Sequence, residues 1–352
     1  MASKPTILLT GATGSLGSTI LYQLLALNTY NVLAVLRSYK KSGPFLEKKY
    51  ASNIKNGTLQ LIEIPDMTVP GSFDIPASKS DFIIHVATPL TKSNFEESII
   101  KPTWEIDHNI LLAASKSPSV KRVIICSSIV AVVPMPFGLF KKKVYTENNY
   151  NTITPEEATA NEKTAYSYAK TNAEKKAWAF MENEGKGMGF DLVTLCAPSI
   201  TGKCIQEGFV PSKEMLGGTG SIYDSVFDRT PEEGLGFLYP FIMDFEDVSK
   251  IHVKSLDKES VPGGRYVFHT KDIVSANMVA RKVREEFPEF KGRVLEPAED
   301  TVLGMGKVKG DLCVFDVGKS ERVFGGEWKG WWESIKKTVE QIVEYERAAG
   351  KL

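Results

Sequence analysis

The chain has 352 residues, room for one large domain or two modest ones around a sizeable core, which excludes a mini-protein held together by staples. Hydrophobic residues at 42% and charged residues at 24% are an ordinary globular balance and exclude disorder over most of the length. With 43 basic and 43 acidic residues there is no general excess of positive charge to hold a polyanion, so no nucleic-acid partner is expected.

Met1 to Pro5 lead straight into an apolar strand without signal-peptide architecture, and no apolar run approaches the ~20 residues of a membrane span. The four cysteines, Cys126, Cys196, Cys204 and Cys313, form no CxxC pair and suit a reducing compartment. A soluble, cytoplasmic protein is expected, with no membrane partner.

In chain order, short β-branched runs alternate with amphipathic stretches. Strands are predicted at 6–9, 31–36, 59–64, 81–86, 120–126 and 191–196, each nearly continuous in apolar character, as strands buried on both faces should be. Helices are predicted at 15–27, 94–115 and 161–185. Strand, helix, strand repeated in this way gives an α/β fold, a Rossmann-type doubly wound parallel sheet. After Pro198 the rhythm breaks into a loop-rich excursion over 199–240 with Gly217, Gly218 and Gly220 near its middle. A helix at 246–256, a strand at 265–268 and a helix at 273–287 follow. Trp331, Ile335, Val339, Ile342 and Val343 then lie at helical spacing in a closing amphipathic helix. The expected division is a dinucleotide-binding domain over 1–198, to which 239–258 returns, and a smaller, mostly C-terminal substrate-binding domain of 199–238 and 259–352.

Directly after the first strand stands Gly11-Ala12-Thr13-Gly14-Ser15-Leu16-Gly17. Glycines at this spacing permit a tight turn, close approach of the backbone to a pyrophosphate and close packing of helix on strand. Chance would supply roughly 0.2 such triplets in a chain of this composition, so the position between strand and helix is what gives the spacing meaning. The second strand ends Val35-Leu36-Arg37-Ser38, with Lys40 and Lys41 beyond. An NAD site usually places a carboxylate there for the ribose 2′-hydroxyl, whereas Arg37 can stack on adenine and fork onto a 2′-phosphate with Lys41 as a second charge. NADP(H) is therefore expected; the plainer reading is a solvated basic loop. Asp66 and Met67, at the third strand's end, are placed to meet the adenine edge, although Asp also suits any turn.

The fifth strand ends Cys126-Ser127-Ser128, bringing two hydroxyls to the carboxyl edge of the sheet. Tyr166-Ser167-Tyr168-Ala169-Lys170 follows in the next long helix, with Tyr166 and Lys170 one turn apart on one face. Among the 12 tyrosines only Tyr166 has Lys at the fourth following position; Tyr168 has Asn172 there.

These residues resemble the extended short-chain dehydrogenase/reductase family. The likeness covers nearly the whole chain and is nearest the dihydroflavonol-reductase-like branch, similar to its fungal NADPH-dependent aldehyde and ketone reductases. Besides the glycine loop, it rests on His85 to Pro89, Val123 to Ser128, Tyr166 to Lys170, Cys196-Ala197-Pro198, Asp247-Val248 before His252, and Phe315 to Lys319. It implies that Ser128, Tyr166 and Lys170 are catalytic, that Ala87, Thr88, Pro89 and Pro198 border the cofactor, and that residues after 199 mostly build the substrate cap. Two positions depart from the pattern. Glu105 takes a polar position where relatives carry Asn or Asp, and Ile129 replaces an aromatic residue beside the substrate.

Carbonyl reduction leaves negative charge on oxygen, to be stabilised and then protonated. Ser128 would donate to that oxygen and Tyr166 would deliver the proton, while the Lys170 ammonium would stabilise the phenolate and hold the nicotinamide ribose. The expected function is NADPH-dependent reduction of an aldehyde or ketone. The alternatives are a non-catalytic NADP sensor and an NAD-dependent epimerase or dehydratase of the same fold. The four histidines show no ligand spacing, so no metal is expected. Met135 and Phe137 either line a substrate pocket or fill core. A monomer or homodimer is expected.

Overall fold

The computed structural model describes residues 4–89, 93–134, 137–185, 187–212, 215, 217–298 and 312–352; Met135 and the side chain of Phe137 lie outside the described residues. In chain order the strands are β1 (Thr6–Thr10), β2 (Asn31–Leu36), β3 (Leu59–Glu63), β4 (Phe82–His85), β5 (Arg122–Ser128), β6 (Val144–Tyr145), β7 (Asp191–Ala197), β8 (Ser199–Thr201), β9 (Ile242–Asp244), β10 (Gly264–Val267) and β11 (Val314–Phe315). Seven of them form one sheet in the order β10-β7-β5-β4-β1-β2-β3, every neighbouring pair parallel. The order reverses between β1 and β4, and at such a switch point the strand ends diverge and leave a crevice.

Side chains alternate between faces along each strand, and both faces are covered, which is why the strands are apolar throughout. Ile7, Leu9, Ile84, Ile124 and Val193 meet Ile20 and Leu24 of the helix Ser15–Leu27 and Val248 and Ile251 of the helix Phe245–Lys254. Leu8, Ile83, Val123, Ile125 and Leu192 meet Ile106 and Ile110 of the helix Lys101–Ser115 and Ala177 and Phe180 of the helix Glu162–Asn183. A separate core joins Ile222, Val226, Phe227, Val279 and Val283 to Ile335, Val339 and Ile342 of the C-terminal helix Trp331–Ala348.

Three expectations are corrected. Residues 265–267 of the strand expected at 265–268, read as part of the substrate-binding half, fall in β10, which completes the central sheet by pairing with β7. The helix expected from Asn94 starts later, because Asn94 is left-handed at φ 51, and it opens with a π-turn over Glu96–Ile100. The 199–240 excursion contains β8 and a short helical run, Gly218–Ile222 continued by Tyr223–Phe227, that supplies part of the separate core.

Candidate active site

The glycine loop leaves β1 at Thr10 and opens the helix Ser15–Leu27. Gly11 has φ +71, and a Cβ there would stand 2.9 Å from the Ala87 amide nitrogen, while one on Gly17 would stand 2.0 Å from the Gly11 carbonyl oxygen. Backbone occupies both places, so only glycine fits. The helix begins without a side-chain cap and with no acidic residue in its first turn, leaving N–H groups and the positive end of the dipole available to an anion. Thr13 and Gly14 are exposed, and Ser15 and Leu16 line a cavity shared with Ser128 and Tyr166.

A buried network that the sequence reading left unassigned fixes this loop to β4. Thr10 Oγ1 lies 2.7 Å from His85 Nδ1, and His85 Nε2 lies 2.9 Å from Asp107 Oδ1. With the carboxylate accepting from Nε2, Nδ1 accepts from the hydroxyl, whose lone pairs accept the Val86 and Ala87 amides at 3.2 and 3.3 Å. The backbone leading to Thr88 and Pro89 is thereby set from below. Asp107 therefore faces inward on its helix, as does Asn109, which donates to the carbonyls of Met67, Thr68 and Val69. Glu105, the residue singled out in the sequence, is exposed and faces outward beside Lys101, Trp104 and Lys176.

Arg37 follows β2 and is exposed. Lys41 is no loop residue: it lies in the first turn of the helix Tyr39–Lys49, whose cap, Ser38, accepts from the Lys41 amide. The nearby carboxylate of Glu63 accepts the Tyr39 amide at 2.8 Å. Asp66 is occupied in a turn, accepting from the hydroxyl and amide of Thr68 at 2.6 and 2.9 Å, and these bonds hold its carboxyl below the ordinary range. Met67 packs against the core on that side of the sheet.

At the carboxyl edge, β5 delivers Ser127 and Ser128, and the helix Glu162–Asn183, capped reciprocally by Asn161 and Thr164, delivers Tyr166 and Lys170. Lys170 is 7% exposed, and its Nζ donates to the Cys126 carbonyl at 2.8 Å, which pins the ammonium beneath the strand end. Burial pushes the Tyr166 phenol up, while the Lys170 charge and a hydrogen bond with Ser128 pull it down. Ser128 and Tyr166 share a cavity of about 470 Å³ that is also lined by Ser15 of the glycine loop and by Phe237, Tyr239 and Phe241. Pro198 and Ile129 line it as well; burial pushes the Tyr239 phenol up to about 12. Tyr168 turns to the other side of the helix, against Ile99, Ile100 and Ala165.

One turn past Lys170, Glu174 anchors the helix beneath the site. Its Oε2 accepts from Ser127 Oγ at 2.8 Å, and Arg265 of β10 forks onto both oxygens at 2.9 and 3.0 Å. The pair is nearly fully buried, and Arg265 also donates to the carbonyls of Glu147 and Ala131 while its guanidinium lies 3.9 Å from the Tyr150 ring centre. A buried charge pair so completely hydrogen-bonded fixes geometry rather than adding much net stability. Among the described residues no group of three His, Cys, Asp or Glu is arranged to hold a metal, and no helix is long and apolar enough to cross a membrane.

A seven-stranded parallel sheet with a glycine loop at β1 and a Ser, Tyr and Lys gathered at the carboxyl edge defines a Rossmann-type protein of the dinucleotide-binding class. More narrowly, the chain belongs to the NAD dependent epimerase/dehydratase family, whose profile matches residues 7–224. It is 30% identical over 351 residues to a ketoreductase of Aspergillus niger, covering 96% of this chain and 97% of that one. To the NADPH-dependent methylglyoxal reductase of Saccharomyces cerevisiae it is 25% identical over 354 residues, covering 97% of this chain and 98% of that one. The fold is that of the crystal structure of yeast methylglyoxal/isovaleraldehyde reductase complexed with NADPH, with a TM-score of 0.85 at 23% identity over 99% of this chain and 100% of that one.

Proposed function

We propose that the protein is an NADPH-dependent reductase that converts an aldehyde or ketone to an alcohol. The observation that carries this reading is a single cavity lined by Ser128 and Tyr166 and reaching Ser15 of the glycine loop, with the Lys170 ammonium buried beneath it. Similarity to a ketoreductase and to a methylglyoxal reductase supports it.

The residues present fit a dinucleotide. Glycine is required at positions 11 and 17, and the uncapped helix end at Ser15 and Leu16, with Thr13 and Gly14 beside it, offers neutral donors to a diphosphate. Arg37 and Lys41 would take a 2′-phosphate, Asp66 and Met67 would border the adenine, and Ala87, Thr88, Pro89 and Pro198 would line the way to the nicotinamide. When bound, the cofactor supplies the hydride. Ser128 donates a hydrogen bond to the carbonyl oxygen, and Tyr166 gives it a proton from its hydroxyl. Lys170 favours the phenolate left behind and holds the nicotinamide ribose. Ile129 borders the substrate, with Phe237, Tyr239 and Phe241 lining the same cavity. The separate core of 222–294 and 335–343 supports a substrate-binding cap, with β10 assigned to the sheet half. Free cysteines throughout suit a cytoplasmic enzyme, acting as a monomer or homodimer.

The test is a panel of aldehydes and ketones offered with NADPH and with NADH. Turnover with a clear preference for NADPH is expected. Dinucleotide binding without turnover of any carbonyl or alcohol would favour a sensor, and NAD co-purifying without NADP would favour an epimerase or dehydratase.

A further inference from the structure

The segment 202–206 leaves β8 rooted on the C-terminal helix. Thr338 Oγ1 accepts from the Gly202 amide at 2.9 Å and donates to the Gly202 carbonyl at 3.1 Å. Gln341 grips Cys204 in the same way, accepting from its amide at 2.9 Å and donating to its carbonyl at 2.7 Å. Beyond this root the segment crosses to the other half of the molecule. Lys49 Nζ donates to the Ile205 carbonyl at 2.8 Å, and Ser15 Oγ donates to Gln206 Oε1 at 2.6 Å. Ser15 is the first residue of the glycine-loop helix, and Lys49 ends the helix that carries Lys41 in its first turn. The strap thus spans from the cap helix to both elements that the cofactor reading uses. Among the described residues the amide nitrogen of Gln206 has no protein partner.

We propose that Gln206 is a cofactor-holding residue and that 202–206 is a strap closing the diphosphate site from the cap side. The inference rests on the dinucleotide reading of the glycine loop and is independent of the carbonyl chemistry. A helix N-terminus presents donors to an anion from one side only. The Gln206 amide adds two further N–H donors from an element anchored elsewhere, and Ser15 fixes its orientation by occupying its oxygen. A neutral amide strengthens the site without neutralising the ligand, and release of the ligand then requires the strap to lift, so the effect belongs to the dissociation rate.

The experiment measures NADPH binding to the full chain by fluorescence titration and its release by stopped flow, without carbonyl substrate. Wild type, Gln206→Ala, Gln206→Glu and Gln341→Ala are compared, with 2′-AMP as a ligand that lacks the diphosphate, and circular dichroism checks folding. Gln206→Ala should raise the NADPH Kd about tenfold, mainly through faster release, and leave the 2′-AMP Kd unchanged. Gln206→Glu should weaken NADPH further by repulsion, and Gln341→Ala should speed release by loosening the root. NADPH binding that is unchanged or tighter in Gln206→Ala would overturn the proposal, since the strap would then be a contact that the diphosphate displaces. Wild-type protein that binds neither NADPH nor NADH would overturn both this and the cofactor reading, whereas binding without carbonyl turnover would contradict only the reductase proposal.

Discussion

Tyr166 works under opposed influences: burial disfavours its phenolate, and the Lys170 ammonium and the Ser128 hydrogen bond favour it. Reduction needs the phenol protonated, so the rate should hold through neutral pH and fall as pH rises through the phenol's pKa. Replacing Lys170 with Met removes the cation that favours the phenolate. The alkaline limb of kcat should then move to higher pH while kcat itself drops by at least about 10²-fold, read from a pH–rate profile. On the proposed cofactor reading, Arg37→Ala should raise KM for NADPH about tenfold and KM for NADH by much less, because the 2′-phosphate contact is lost only with the phosphorylated cofactor while any adenine stacking is lost with both. The pair Tyr166 and Lys170 was legible from helical spacing, which separates it from Tyr168; the structure sends Tyr168 to the opposite side of the same helix. Asp66 was less legible, because an Asp after a strand serves a turn as readily as a ligand, and here its carboxyl is engaged by Thr68.

The helix Glu162–Asn183 is held at two levels, by Lys170 on the Cys126 carbonyl and by Glu174 on Ser127 and Arg265. Breaking the lower level leaves a buried guanidinium with a poorer partner, so Glu174→Gln should cost about 3–5 kcal/mol in urea unfolding. Replacing both partners, Glu174→Met with Arg265→Met, should recover much of that loss. If the single variant unfolds like wild type, the pair does not hold the helix. None of this pair was legible: its members lie on a helix and on a strand that the sequence reading placed in different halves, and a single Arg in an apolar run says nothing of its partner. The helix Lys101–Ser115 misled for a related reason. Glu105, Asp107 and Asn109 are all polar, and spacing alone does not say which of them points at the sheet.

Across the molecule, the alternation of apolar strands and helices was enough to expect a doubly wound sheet, since burial on both faces leaves a compositional mark on every central strand. The second core was not legible in the same way, because, apart from the closing helix, it is assembled from short segments far apart in the chain between 222 and 294. One contribution to acid stability comes from His252. His252 is fully buried on the helix Phe245–Lys254, with Nδ1 at 2.8 Å from the Val248 carbonyl, and burial lowers its pKa to about 4. The unfolded chain binds a proton near its ordinary value of about 6.5 while the native protein does not, so stability is full above that pH and declines as pH falls toward 4. Its share of that decline is about 3 kcal/mol, and His252→Leu should flatten the acid limb of a stability–pH curve by this amount. A variant curve parallel to wild type would exclude His252 as the source. The central claim, that a phenol on one helix protonates a carbonyl beside a dinucleotide held by another, is tested most directly by Tyr166→Phe. Single-turnover oxidation of bound NADPH by an accepted carbonyl should slow by about 10²–10⁴-fold with the NADPH Kd within about threefold of wild type, and turnover at the wild-type rate would contradict the account.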